Sequence, residues 1–196
     1  DSTADRSQYN MAWCLLELER EEEAMAAFRR LLERYPQSEF AASAQFTLAD
    51  DAYNRRAFEE AMAAYILVQE RYPDDPVAAQ VPRLVSEIRE AVAYDHYELA
   101  VALMDSAETA ELEASRKAYF DRAVSAFEEV VERFPGTESE LGALSNMGVC
   151  LEGLNRWRDA VDVYDRVIAM YEDKRATREV FQFVKAHKDW IVTTRL

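Results

Sequence analysis

The stretch Phe58–Pro73, FEEAMAAYILVQERYP, decides the fold, because its skeleton recurs at three other places in the chain. A small Ala is followed by an aromatic at +4, a branched apolar residue at +7 and an aromatic at +11. Ala61, Tyr65, Val68 and Tyr72 form this copy; Ala24, Phe28, Leu31 and Tyr35 form another; Ala123, Phe127, Val130 and Phe134 form a third. In these three a Pro follows at once, and a fourth copy, Ala160, Tyr164, Val167 and Tyr171, lacks it. The offsets lie along one face of a helix, so each copy predicts an amphipathic helix that needs a neighbour to cover it. The Pro marks where that helix stops.

Working outward, each of these helices is preceded by another with a seam of its own: Met11-Ala12 and Leu15, Leu48-Ala49 and Ala52, Leu99-Ala100 and Leu103, Met147-Gly148 and Leu151. The small central residue lets the partner helix come close. Twelve residues separate Ala12 from Ala24, Ala49 from Ala61 and Gly148 from Ala160, a gap that fits a short turn. The pattern is a helical hairpin repeated every 37 residues where it is regular. The third hairpin breaks the rhythm. Fourteen extra residues precede Ala100 and eleven extra separate it from Ala123, and both insertions read as helix. A taller third hairpin is expected, with its tip near 105–113. At the C-terminal end, Val180, Phe181, Val184, His187 and Ile191 recur at helical spacing and predict an end helix that covers the stack, while Phe183 and Trp190 lie off its seam.

The composition agrees with an all-helical chain. Of 196 residues 49% are hydrophobic, enough for a continuous core, and the four Gly all fall between 136 and 153, which leaves none for a phosphate-cradling loop elsewhere. The net charge of −15 argues against nucleic acid and anionic membrane as partners. Residues 174–196 carry six bases and two acids, so the basic end helix is expected to lie against an acidic remainder. No apolar run approaches a membrane span, so direct membrane insertion is not expected. Cys14 and Cys150 sit at matching places in the first and last repeats; if the repeats stack in order they are too far apart for a disulfide, and they are expected to be free and mostly buried. His96 and His187 are the only histidines and stand in no metal-ligand spacing; His96 reads as a packed or rim residue. No nucleophile elbow, P-loop or calcium loop occurs, so the chain reads as noncatalytic, without metal or cofactor.

The four copies, spanning about Gln8 to Tyr171, resemble the tetratricopeptide repeat, and the stretches YNMAWCLLELEREEEAMAAFRRLLERYPQSEF and FTLADDAYNRRAFEEAMAAYILVQERYPDDP are most similar to the bacterial envelope subclass typified by the Tol-Pal protein YbgF and the outer-membrane assembly lipoprotein BamD. The regular period is longer than the usual repeat of about 34 residues. The resemblance implies an all-α superhelix of antiparallel helix pairs forming one domain over 1–196. Its repeats fall at about 5–38, 42–75, 93–137 and 141–173, with an extra helix at 77–92, an extended third hairpin and a capping helix at 176–194.

The same resemblance implies that the first helix of each hairpin lines a concave groove for a protein or peptide partner. The residues facing it are then Tyr9 and Trp13, Phe46, Asp50 and Tyr53, and Tyr94, Tyr97, Val101 and Met104. Aromatics there supply contact area at low entropy cost, although an aromatic on such a helix can also wedge between repeats as core. Trp13 and Tyr53 lie farthest from the Ala-lined contact. The places where related adaptors clamp a C-terminal carboxylate carry Tyr9, Trp13 and Thr47, which disfavours a ligand ending in a free carboxylate. The expected function is a noncatalytic protein-interaction scaffold of the cell envelope, periplasmic or outer-membrane-associated. The alternatives are a cytoplasmic adaptor or a regulatory module of a larger multidomain enzyme. Self-association through the third hairpin or the end helix is a further expectation.

Overall fold

A computed structural model describes residues 3–173 and 175–196, and among these the secondary structure is helical. The chain divides into two compact units, Asp1–Ile88 and Arg89–Leu196.

In the first unit, α1 (Ala4–Glu17) pairs with α2 (Glu21–Arg34), and α3 (Ala41–Asn54) pairs with α4 (Phe58–Arg71); α2 also packs on α3. Ala12, Ala24, Ala49 and Ala61 are wholly buried, so these helices meet where side chains are smallest. A short 3-10 turn, Pro76–Gln80, follows, with the Asp75 carboxylate accepting from the Val77 N–H at 3.0 Å. One register-specific bond recurs at the repeat spacing: Gln8 Nε2 donates to the Ala27 carbonyl at 3.1 Å and Gln45 Nε2 to that of Ala64 at 3.3 Å. A side chain from the first helix of each pair thereby fixes its height against the second.

The turns inside the pairs share one backbone solution. Glu19, Arg56 and Asn155 have φ of 58°, 60° and 57°, the left-handed conformation that ends a helix. The next N–H reaches back over five residues, Arg20 to the Leu15 carbonyl, Ala57 to Ala52 and Arg156 to Leu151, at 2.8–2.9 Å. These bonds satisfy carbonyls that the helix end leaves unpaired.

The boundary between the units falls inside α5 (Val81–Thr109), a helix of 29 residues. The sequence reading has a separate helix over 77–92; instead the insertion and the first helix of the third hairpin are continuous, because nothing between Val81 and Thr109 other than the early Pro82 interrupts the helical backbone. In the second unit, α6 (Glu113–Arg133) runs back alongside α5, with Tyr97 on Phe127 at 5.9 Å and His96 on Phe134 at 5.3 Å between ring centroids. α7 (Glu138–Gly153) packs on both α6 and α8 (Trp157–Glu172), and α9 (Arg178–Thr194) packs on α8. Thr137 caps α7 by accepting from the Glu140 N–H at 3.1 Å. The Glu140 carboxylate, nearly buried, accepts from the Gly136 N–H at 2.6 Å and pairs with Arg175 at 2.7 Å. Val184 and Ile191 are fully buried and Phe181 stacks on Tyr171 at 4.3 Å, so the basic end helix lies against the array.

Three sequence expectations are corrected. Cys14 is exposed, whereas Cys150 is buried as expected. Met11 and Leu99, read as seam residues, are exposed, although their counterpart Met147 is buried. The reason for Cys14 and Met11 is the number of neighbours: α7 is covered on two sides by α6 and α8, and α1 is covered mainly by α2.

Candidate functional site

The candidate binding residues lie on the first helix of each pair, five of them in the first unit and four in the second. In the first unit, buried Phe28 on α2 is the floor of an aromatic cluster. Tyr9 meets it edge-on at 5.9 Å and stacks on Phe40 at 4.7 Å; Trp13 meets it edge-on at 5.8 Å and lies 6.1 Å from Tyr9. Tyr9 is half-buried, an anchor more than a contact surface, while Trp13, one turn on, remains 41% exposed. An indole packed at right angles to Phe28 and still partly exposed is an apolar surface with little side-chain entropy left to lose.

α3 repeats the arrangement. Phe46 is half-buried and meets Tyr65 edge-on at 5.2 Å, and Tyr53 is 47% exposed, 5.9 Å from Phe58. Between them Asp50 accepts a hydrogen bond from the hydroxyl of buried Tyr65. Burial raises the Asp50 carboxyl above its usual range, against the opposing effect of the Tyr65 bond. Burial first, and then the bond to Asp50, push the Tyr65 hydroxyl well above its ordinary value, so it stays protonated as the donor. Asp50 is thus engaged by the core, and Glu17 is the exposed acid of this pair of helices near Trp13.

In the second unit, Tyr94 is exposed and bonded to Glu98, which raises its hydroxyl pKa, while Val101 and Met104 are half-buried. Tyr97 is bound into the core: Asn146 Nδ2 donates to its hydroxyl at 2.9 Å, and its ring lies over Gly142, where an added Cβ would stand 3.0 Å from it. The sequence therefore proposes nine residues of which Trp13, Tyr53 and Tyr94 are the exposed ones and Tyr9, Phe46 and Tyr97 pack against core rings. The Tyr97–Asn146 bond is not visible in sequence, since it joins residues 49 apart.

A second cluster lies at α7–α9: the sequence places Glu152, with Ser145 and Val149, on the groove-facing seam of α7, but does not show its partners Tyr164 and His187. Tyr164 donates its hydroxyl to Glu152 Oε1 at 2.6 Å, and His187 Nδ1 lies 2.7 Å from the same oxygen. Burial and Glu152 drive the Tyr164 hydroxyl far above its usual pKa. The signal that could have found it is the match of Tyr164 to Tyr65, which implies a carboxylate acceptor on the preceding helix. Among the described residues no three His, Cys, Asp or Glu side chains converge as a metal site, and no helix is long and apolar enough to cross a membrane.

Two models described as tetratricopeptide repeat match the chain, one over residues 6–38 and the other over 111–175. No curated protein matches. Among solved structures, the chain is similar to the nearly identical TPR-like repeats of a putative kinesin light chain from Podosopora anserina. Identity there is 14%, with 90% of this chain and 99% of that chain covered and a TM-score of 0.36. A singly substituted form of that protein matches at 15% identity, covering 87% of this chain and 96% of the other, with a TM-score of 0.34. The repeat assignment rests on the family models and on the helix pairs described above.

Proposed function

From a chain that carries tetratricopeptide repeats in both of its compact units, we propose a protein-interaction scaffold of the bacterial cell envelope, periplasmic or outer-membrane-associated, that holds a partner segment on the exposed aromatics of α1 and α3. Tetratricopeptide repeats are interaction modules, and the charge of −15 favours a segment with basic residues beside its apolar anchors. The observation that carries the reading is the exposure of Trp13 and Tyr53, each beside a core or neighbouring ring. The envelope assignment is supported by the resemblance of the first two repeats, with Tyr9 two residues before Met11-Ala12 and the Tyr-Pro endings at 35–36 and 72–73.

Affinity capture from the native organism, followed by mass spectrometry, supplies the partner. Trp13→Ala or Tyr53→Ala should then weaken its binding by about 1–4 kcal/mol, the hot-spot range, with a thermal midpoint close to that of the parent. A core aromatic would instead lose about 3–5 kcal/mol of stability, so a fall in midpoint at unchanged affinity removes these residues from the binding surface. Fractionation of cells carrying a tagged full-length gene product tests the compartment; recovery with cytosolic markers alone would overturn the envelope reading.

A further inference from the structure

We infer that the cleft beside α9, lined by Glu152, Ala186, His187 and Trp190, is a binding site for an arginine side chain of a partner polypeptide. The cleft has a volume of about 360 Å³, within the range of roughly 300–1,000 Å³ of ligand-sized sites. Its polar end is the Glu152 carboxylate, only 15% exposed, whose Oε1 is fixed by the Tyr164 hydroxyl and by His187. A carboxylate held in this way, with water largely excluded, is pre-organised to accept hydrogen bonds from a cation. Its apolar wall is Trp190, 42% exposed and edge-on to Trp157 at 5.8 Å.

The chain itself shows which cation suits that wall. The guanidinium of Arg195 lies over both indoles, 4.9 Å from the Trp157 ring and 5.1 Å from the Trp190 ring, inside the range of cation–π attraction. A second guanidinium entering the cleft would meet Trp190 from the side of His187 and direct its N–H groups to Glu152. Arginine fits better than lysine because its planar fork both stacks on an indole and bonds a carboxylate. α9 itself is basic, with Lys185 and Lys188 paired to Asp189 and Asp165, so the attraction for a guanidinium at this cleft is the local one of Glu152. The inference shares with the scaffold reading only that the partner is a polypeptide, and it does not depend on Trp13 or Tyr53.

The test is an NMR titration of the full chain with acetyl-Gly-Arg-Gly-amide, with the citrulline peptide, which keeps the shape and lacks the charge, and with free arginine. The arginine peptide should shift the Trp190 indole and His187 resonances saturably, and the citrulline peptide should not. Trp190→Ala, at an exposed position, should weaken binding by about two- to fivefold, and Glu152→Gln should weaken it further. Trp13→Ala, in the other unit, should change nothing here even if the surface on α1 fails as a partner site. Equal binding of the citrulline peptide, shifts that map away from Trp190 and His187, or binding unaffected by Trp190→Ala would each overturn the site. Free arginine binding more tightly than the peptide would mark a small-molecule site and overturn the polypeptide assignment.

Discussion

Cys14 and Cys150 occupy equivalent places in their repeats and have opposite surroundings, one exposed and the other wholly buried. An aromatic disulfide reagent should therefore titrate one thiol per native chain, Cys14, and the second only in denaturant; prompt reaction of both would mean that α7 is less covered than described. Glu19 is a residue-scale strain of a different kind. At φ 58° its Cβ crowds its own backbone, a cost of roughly 1–2 kcal/mol for a non-glycine residue. Glu19→Gly should raise stability by up to about 1 kcal/mol after the added freedom of the unfolded chain, and Glu19→Val should lower it by about 1–2 kcal/mol. Urea midpoints of the two variants on opposite sides of the parent are the expected result.

Between elements, α7 meets α8 closely at Gly148. A Cβ at Gly148 would lie 2.2 Å from the ring of Tyr164, which is fully buried and tied through its hydroxyl to Glu152. The ring cannot yield without breaking that bond. Gly148→Ala improves intrinsic helix propensity by about 1 kcal/mol, but overpacking of about 1–3 kcal/mol opposes it, and at this distance the clash should win. A lower thermal midpoint is expected; a higher one would show that α8 moves outward at little cost. The small residue that the sequence pattern places at the centre of each seam thus has a named reason in this hairpin.

For the whole molecule, the buried groups set the alkaline limit of stability. Burial, with a smaller effect of Glu108, pushes the Cys150 thiol up to about 12, whereas an unfolded thiol titrates near about 8.5. The folded pKa is the higher one, so this contribution is whole below about pH 8.5 and is lost as pH rises towards 12. Tyr65 and Tyr164, whose hydroxyls are also raised, add to the loss once unfolded tyrosine ionises above about 10. Urea midpoints from pH 7 to 11 should fall from about 8.5 onward and more steeply past 10. Cys150→Ala should flatten the first part and Tyr164→Phe the second; parallel curves for all three proteins would contradict the assignment.

The repeat pattern predicts the helix pairs, though not the joining of the 77–92 insertion to the first helix of the third hairpin. The offsets 0, +4, +7 and +11 from Ala24, Ala61, Ala123 and Ala160 identify one face, and all four alanines are fully buried at helix contacts. Local periodicity carries that information because a helix shows every fourth residue to the same neighbour. The tertiary packing sets what covers each helix. It buries Cys150 and exposes Cys14, takes Tyr97 into the core through Asn146, and leaves Trp13 and Tyr53 facing solvent. It also brings Glu152, Tyr164 and His187 to one oxygen and seats Arg195 on Trp157 and Trp190. Those groups come from three helices and the residue that follows α9, and the period of any one helix says nothing about the side chains that another segment lays against it.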